Sequence, residues 1–98
     1  MLTPDQILEK VSSGFSLKSV DLKGKSRVQN ICDARFFFCE IMHELTGSSD
    51  ELIGKHINRH RLTVLHGKKR AQDLISTYPY MESLYKKIKY EITMEYTM

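Results

Sequence analysis

The segment whose residue types most clearly suggest chemistry is 57–70, which reads INRHRLTVLHGKKR. It holds three arginines, two lysines and two histidines around a kernel of apolar residues and threonine, and it contains no acidic residue. Lysine and arginine neutralise phosphate charge, and arginine can also form two hydrogen bonds to the edge of a guanine. The segment therefore predicts a surface that binds a polyanion, and duplex DNA fits it best.

The distribution of charge is more informative than its total, because the formal net charge of the 98 residues is only +3. The segment 52–72 carries six lysines and arginines and no carboxylate, although the whole chain has 12 acidic residues. The segment 22–32 repeats this pattern with Lys23, Lys25 and Arg27. Local excess of one charge attracts the opposite charge, so these two segments predict where a polyanion would bind.

The elements that must position these residues are predicted to be helices. A serine followed by two acids predicts a short helix near 48–57, and Asn58 tolerates the left-handed conformation of a tight turn. The segment 59–78 predicts a longer helix that ends before Pro79. A short helix, a tight turn and a longer helix with polar side chains at its start form a helix-turn-helix pattern.

The rest of the sequence also predicts helices. Thr3, Pro4 and Gln6 predict the capped start of a first helix, 16–22 predicts a helical turn before an open basic loop, and a central and a final helix follow at about 30–47 and 80–96. No segment alternates with period two for long. We predict one all-α domain over residues 1–98, a compact bundle of about five to six helices that contains the helix-turn-helix.

A helical wheel divides the long helix into two sides. Its buried stripe is predicted to comprise Val64, Ala71, Ile75 and Tyr78, flanked by Leu65 and Leu74. On the outer side, Arg61 can bind a guanine edge or a phosphate, Leu62 can contact a thymine methyl group, and Thr63 can bond a base or a phosphate. Lys69 and Arg70 can neutralise backbone charge. The start of this helix is therefore the predicted recognition surface.

Four short sequence motifs occur in a characteristic order. These are KSR at Lys25–Arg27, ELT at Glu44–Thr46, IG at Ile53–Gly54 and TVLH at Thr63–His66. In this respect the chain resembles the C-terminal DNA-binding domain of the bacterial replication initiator DnaA, a helical module with a helix-turn-helix and an end signature close to G-G-R-D-H-T-T-V-L-H. The resemblance implies that the KSR loop enters the minor groove and that Arg35 contacts the DNA backbone.

The resemblance spans roughly residues 3 to 92 and has informative departures. Asn58 stands where the family has two glycines, and His60, Arg61 and Leu62 replace the acid, histidine and first threonine that read bases in the family. The scaffold and phosphate contacts carry over, whereas recognition of the initiator's own box does not. No G-x-x-x-x-G-K-[ST] motif occurs, so ATP-driven assembly does not carry over either.

These arguments give one prediction of the site and of the function. We expect a helix-turn-helix domain that binds double-stranded DNA site-selectively, in replication initiation or transcription regulation, whether bacterial or from a phage or mobile element. The predicted DNA-binding residues are Lys25, Arg27, Arg35, Arg59, His60, Arg61, Leu62, Thr63, His66, Lys68, Lys69 and Arg70. A cytoplasmic, nucleoid-associated protein is expected, since no run is apolar and long enough for a bilayer.

The same residues are also compatible with two other functions. A protein-interaction module on the same scaffold, acting on replication or transcription without binding DNA, stays open, as does a ligand-gated repressor of the tryptophan-repressor type. Phe36 and Phe37 widen the apolar side of the central helix and suggest a partner or self-association surface, unless the terminal helices cover them. No enzyme, cofactor or metal site is expected, because neither a nucleophile with a base nor a complete ligand set is present.

Overall fold

A computed structural model of the chain describes residues 2–96. Within that range six helices follow one another without a strand, which confirms the all-α prediction. The helices are α1 (Pro4–Gly14), α2 (Ser19–Lys23), α3 (Gln29–Thr46), α4 (Asp50–His56), α5 (Arg61–Thr77) and α6 (Pro79–Tyr96). The predicted basic loop lies between α2 and α3, and the predicted tight turn lies between α4 and α5.

Local sequence signals set several of the helix ends. At the start of α1, the Thr3 hydroxyl accepts a hydrogen bond from the Gln6 amide at 3.2 Å, and the Gln6 side chain accepts one from the Thr3 amide at 2.9 Å. This is the predicted capping box, which satisfies two backbone donors that α1 leaves free. Gly47 ends α3 in the left-handed conformation with φ of 65°, and Ser49 caps α4.

Helix α3 lies at the centre of the bundle and packs against α1, α2, α4 and α5. Phe37 and Phe38 are both completely buried. The ring of Phe37 packs edge-to-face between Phe15, at the end of α1, and Tyr85 of α6, with centroids 5.2 Å away on each side. The terminal helices therefore cover Phe37, which removes it from the suggested interaction surface, and Phe36 is half-buried against the core.

The buried side of α5 differs from the predicted one. Val64, Gly67, Ala71 and Leu74 are the buried residues, at spacings of three and four. Tyr78 is 44% exposed, and Leu65 is 36% exposed. The prediction was wrong at Tyr78, because α5 ends at Thr77 and the extended backbone of Tyr78 no longer follows the helical spacing. Leu65 lies at the edge of the buried side, as a flanking residue.

Helix α6 closes the bundle against α1 and α5. Its buried residues are Met81, Tyr85, Ile88 and Ile92. A Cβ atom on Gly14 would lie 2.6 Å from the side chain of Ile88, so α1 and α6 approach each other closely at this glycine. Within the described residues, no helix is both long enough and apolar enough to cross a membrane.

Candidate nucleic-acid interface

The connection between α4 and α5 is a compact turn built on Gly54 and Asn58. Asn58 has φ of 55°, the left-handed conformation that its residue type tolerates. The Gly54 carbonyl accepts hydrogen bonds from the amides of Ile57 at 3.2 Å and Arg59 at 2.8 Å. A Cβ atom on Gly54 would lie only 2.2 Å from the Arg59 carbonyl oxygen, so the turn needs glycine at this position.

His60 caps the start of α5. Its Nδ1 atom accepts a hydrogen bond from the Leu62 amide at 3.1 Å, and this contact orients the first turn of the helix. Arg61, Leu62, Thr63 and His66 are all exposed on that turn and the next, and Leu62 keeps 50% of its surface in solvent. The structure thus brings the predicted base-reading side chains together on the outside of α5.

Six basic side chains around the turn and the basic loop are exposed and unneutralised. None of them forms an ion pair or a side-chain hydrogen bond with another residue in the range 2–96. They are Lys23, Lys25, Arg27, Lys55, Arg61 and Lys69. Lys55 was not among the predicted site residues, although it belongs to the acid-free segment that suggested the site. It shares a surface depression with Arg59, His60 and Arg61, bordered by Glu51.

Two of the predicted phosphate-binding side chains are paired with acids instead. Lys68 Nζ lies 2.7 Å from the Asp50 carboxylate, and the Lys68 side chain is only 15% exposed. Arg70 lies 3.9 Å from Asp73 in a more exposed pair one turn apart. The long-range partner of Lys68 could not be read from the sequence, and its charge is already compensated within the fold.

Arg35 is buried rather than available to DNA, with 7% exposure. Its guanidinium donates to the carbonyls of Leu22 at 2.8 Å, Ser26 at 2.7 Å, Gly24 at 2.9 Å and Asp21 at 3.3 Å. Burial lowers the pKa of Arg35, and the nearby charge of Arg59 lowers it further. In this structure Arg35 holds the basic loop, so its predicted contact with the DNA backbone has no free donor edge to support it.

The basic loop lies directly beside the helix-turn-helix turn. The Asn58 side chain donates to the Lys23 carbonyl at 3.2 Å, and Arg59 Nη2 donates to the Gly24 carbonyl at 2.5 Å. These contacts join residues that are 35 positions apart in the chain. The two basic segments predicted from the sequence therefore form one continuous surface.

The histidines do not form a metal site with other ligands in the described part of the chain. No group of three histidine, cysteine or acidic side chains within residues 2–96 is arranged to hold a metal ion. Cys39 is buried, and burial raises the pKa of its thiol to about 12. The chemistry that the region offers is therefore that of cations, hydrogen-bond donors and small apolar groups.

A short helix, a left-handed turn and a longer helix with exposed cations at its start define a helix-turn-helix protein of the DNA-binding class. The chain belongs to the family described as the bacterial dnaA protein helix-turn-helix, which matches residues 4–71.

Two curated relatives carry the name chromosomal replication initiator protein DnaA. They come from Tropheryma whipplei strains Twist and TW08/27. Each is 34% identical to this chain over 74 residues, which cover 76% of the chain and 16% of the relative. The chain therefore spans about one sixth of the length of these relatives.

Proposed function

We propose that this protein binds double-stranded DNA with sequence preference, placing the start of α5 in the major groove and the basic loop at residues 24–28 in the adjacent minor groove. The observation that carries the proposal is the continuous surface of exposed cations, compensated by no acid of the described chain, around the α4–α5 turn and this loop. Membership of the DnaA helix-turn-helix family supports it. The relatives' name supports a role in replication initiation, and we include transcription regulation in the proposal as a second use of the same surface.

The roles of individual side chains follow from their exposure and chemistry. Arg61 can bind a guanine edge or a phosphate, and Thr63 and His66 can hydrogen-bond bases or backbone. Leu62 offers an apolar contact for a thymine methyl group. Since Arg61 and Leu62 stand where the family has other base-reading residues, the preferred sequence is expected to differ from the initiator's own box.

The backbone contacts come from a second set of side chains. Lys25 and Arg27 of the loop, with Lys55 and Lys69 of the two helices, neutralise phosphate charge. Arg35 and Lys68 act differently, because they hold the loop and the helix that carry these cations. His60 has a structural role and can also contact DNA, because it caps α5 and its side chain is exposed beside the groove-facing residues.

Fluorescence anisotropy with labelled duplexes tests the proposal. After selection of bound duplexes from a random pool, the parent chain is compared with Arg61→Glu, Lys69→Glu and Lys87→Glu. The first two reversals remove an attractive contact and add repulsion, so each is expected to weaken binding about tenfold or more. Lys87 is exposed on α6, away from the proposed DNA-binding surface. Its reversal changes the net charge by the same amount, so it serves as the matched control.

The result also separates DNA binding from docking on a protein. If the parent chain retained no duplex at about 50 mM salt, where backbone attraction is strong, the DNA-binding proposal would be overturned. Capture of a replication or transcription protein by the same face would then favour the interaction module. Leu62 and Leu65, 50% and 36% exposed on the outer side of α5, are the apolar residues that such a partner would cover.

A further inference from the structure

Two arginines from different helical regions bond the same backbone carbonyl. Arg35 Nη2 lies 2.9 Å from the Gly24 oxygen, and Arg59 Nη2 lies 2.5 Å from it. A carbonyl oxygen has two lone pairs and can accept both hydrogen bonds. Gly24 is the first residue after α2 and begins the basic loop, so this single peptide is attached both to α3 and to the α4–α5 turn.

The Arg59 guanidinium spans two segments of the chain. Its Nη1 atom donates to the carbonyls of Ile57 at 3.1 Å and Asn58 at 3.2 Å, while Nη2 reaches Gly24. A planar fork can hold two separate carbonyl groups at fixed relative positions, whereas the single ammonium of a lysine cannot reproduce that geometry. Arg59 therefore fixes the position of the loop relative to the turn.

The arrangement leaves the loop's own cations free. Arg35 and Arg59 bind the loop through its backbone, and Arg35 Nη1 also bonds the Ser26 carbonyl at 2.7 Å. The side chains of Lys25 and Arg27 are exposed and take no part in these contacts. The backbone of the loop is held from behind while its charged side chains project outward.

This junction brings two cations close together without an acid. Neither Arg35 nor Arg59 forms an ion pair within the described range 2–96. Like charges at short distance repel, so the contact has a cost that a surface arginine pointing into solvent would avoid.

We propose that Arg59 is a positioning residue for DNA binding, which couples the basic loop to the recognition helix by fixing Gly24 against the α4–α5 turn. The proposal rests on the proposed function, because it assigns a role within DNA binding. With the coupling intact, Lys25 and Arg27 reach their phosphates in register with α5. Without the contact between Arg59 and Gly24, the loop moves independently of the turn, and ordering it at each binding event lowers the affinity for DNA.

A double-mutant cycle on the affinity for a selected duplex tests the coupling. Arg59→Lys keeps the charge and removes the fork, and it is combined with Arg27→Ala in the loop. In the parent, Arg27→Ala is expected to reduce the magnitude of the log-log salt slope by about 0.9, the value for one phosphate contact. In the Arg59→Lys background, the loss of affinity caused by Arg27→Ala should be smaller than in the parent by a factor of about three or more, as for residues that are directly coupled.

The control cycle pairs Arg59→Lys with Lys69→Ala, since Lys69 lies on α5 and does not depend on the loop. These two effects are expected to be additive. Limited trypsin digestion without DNA gives an independent readout: cleavage after Lys25 and Arg27 should accelerate in Arg59→Lys while sites within α3 and α5 stay protected. Retained protection of the loop would overturn the proposal.

The outcomes separate the two proposals. A parent chain that binds duplex but shows additive effects of Arg59→Lys and Arg27→Ala overturns the positioning role and leaves DNA binding intact. A parent chain that does not bind duplex overturns both. Coupling in the first cycle, additivity in the second and faster cleavage of the loop together support the role of Arg59.

Discussion

Lys68 Nζ lies 2.7 Å from the Asp50 carboxylate, and this ion pair joins the second turn of α5 to the first residue of α4. The two side chains are only 15% and 26% exposed, so solvent screens the pair less than a pair at the open surface. The neighbouring Lys69 is exposed and has no such partner among the described residues. Adjacent lysines therefore have different roles, one holding the two helices together and one facing outward.

The salt dependence of binding should distinguish these two lysines. Six exposed, unpaired cations imply a log-log slope of roughly −5 to −6 for duplex binding, because each neutralised phosphate contributes about −0.9. Lys69→Ala is expected to reduce the magnitude of the slope by about 0.9, and Lys68→Ala is expected to leave it unchanged. Titrations between about 50 and 200 mM salt measure both. Equal changes for the two variants would contradict the assignment.

Leu62 should make recognition sensitive to thymine methyl groups. Replacing thymine with uracil in a selected duplex removes only the methyl group, and loss of one buried methyl contact should weaken binding about fourfold. In Leu62→Ala the two duplexes should bind equally. Met94→Ala, which alters an exposed apolar residue of α6, is the control and should keep the preference for thymine. A parent chain indifferent to uracil at every position would exclude this contact.

Replacing Gly54 should destabilise the α4–α5 turn. In Gly54→Ala, the new Cβ atom would lie 2.2 Å from the Arg59 carbonyl oxygen, so the backbone of the turn must shift. We expect a loss of about 2 to 4 kcal/mol in the free energy of unfolding, with weaker DNA binding. Chemical denaturation measures the loss.

Gly67→Ala is the matched comparison within α5. There a Cβ atom would meet the Phe36 ring at 3.4 Å, an ordinary contact distance, and alanine favours the helix by about 1 kcal/mol. This variant should therefore be as stable as the parent or more stable. A Gly54→Ala protein with unchanged stability would show that the turn can relax in a way the close approach does not suggest.

Stability should fall in acid because of Glu44. Its carboxylate accepts hydrogen bonds from Tyr85 and Lys89 of α6. Burial acts to raise the pKa of Glu44, but the bonds from Lys89 and Tyr85 together hold it below the ordinary value of 4.5. A carboxylate whose pKa is lowered in the folded state stabilises the protein when the pH is above the pKa of the unfolded state. That contribution is lost as the pH falls through the pKa of the folded state.

Glu44→Gln isolates this contribution. The variant should be less stable than the parent by about 1 kcal/mol near neutral pH, since the carboxylate is partly exposed. The difference should shrink as the pH falls below 4.5, which thermal unfolding across pH can follow. Glu9→Gln, at an exposed position of α1, is the control. A constant difference down to the acid range would contradict the role of the charge.

Features with local causes could be predicted from the sequence. The capping box of Thr3 and Gln6, the end of α3 at Gly47 and the left-handed conformation of Asn58 each depend on residues a few positions apart. The short helix, turn and long helix could be predicted for the same reason. The order of these elements and the family resemblance then gave the fold class.

Features that depend on distant partners could not be predicted. Arg35 was expected at the DNA backbone, but four carbonyls of residues 21–26 occupy its donors. Lys68 was expected at a phosphate, but Asp50 neutralises it. A single sequence shows that a cation is present and does not show which acid or carbonyl the fold brings beside it.

The four buried side chains of α6 have a consequence for the boundaries of the module. The family match ends at residue 71, inside α5, yet Tyr85 packs on Phe37 and Ile88 fits over Gly14 from beyond that point. A chain truncated at residue 71 would leave the middle of its core open to water. The stretch that the family match covers is thus shorter than the stretch whose side chains form the shared core.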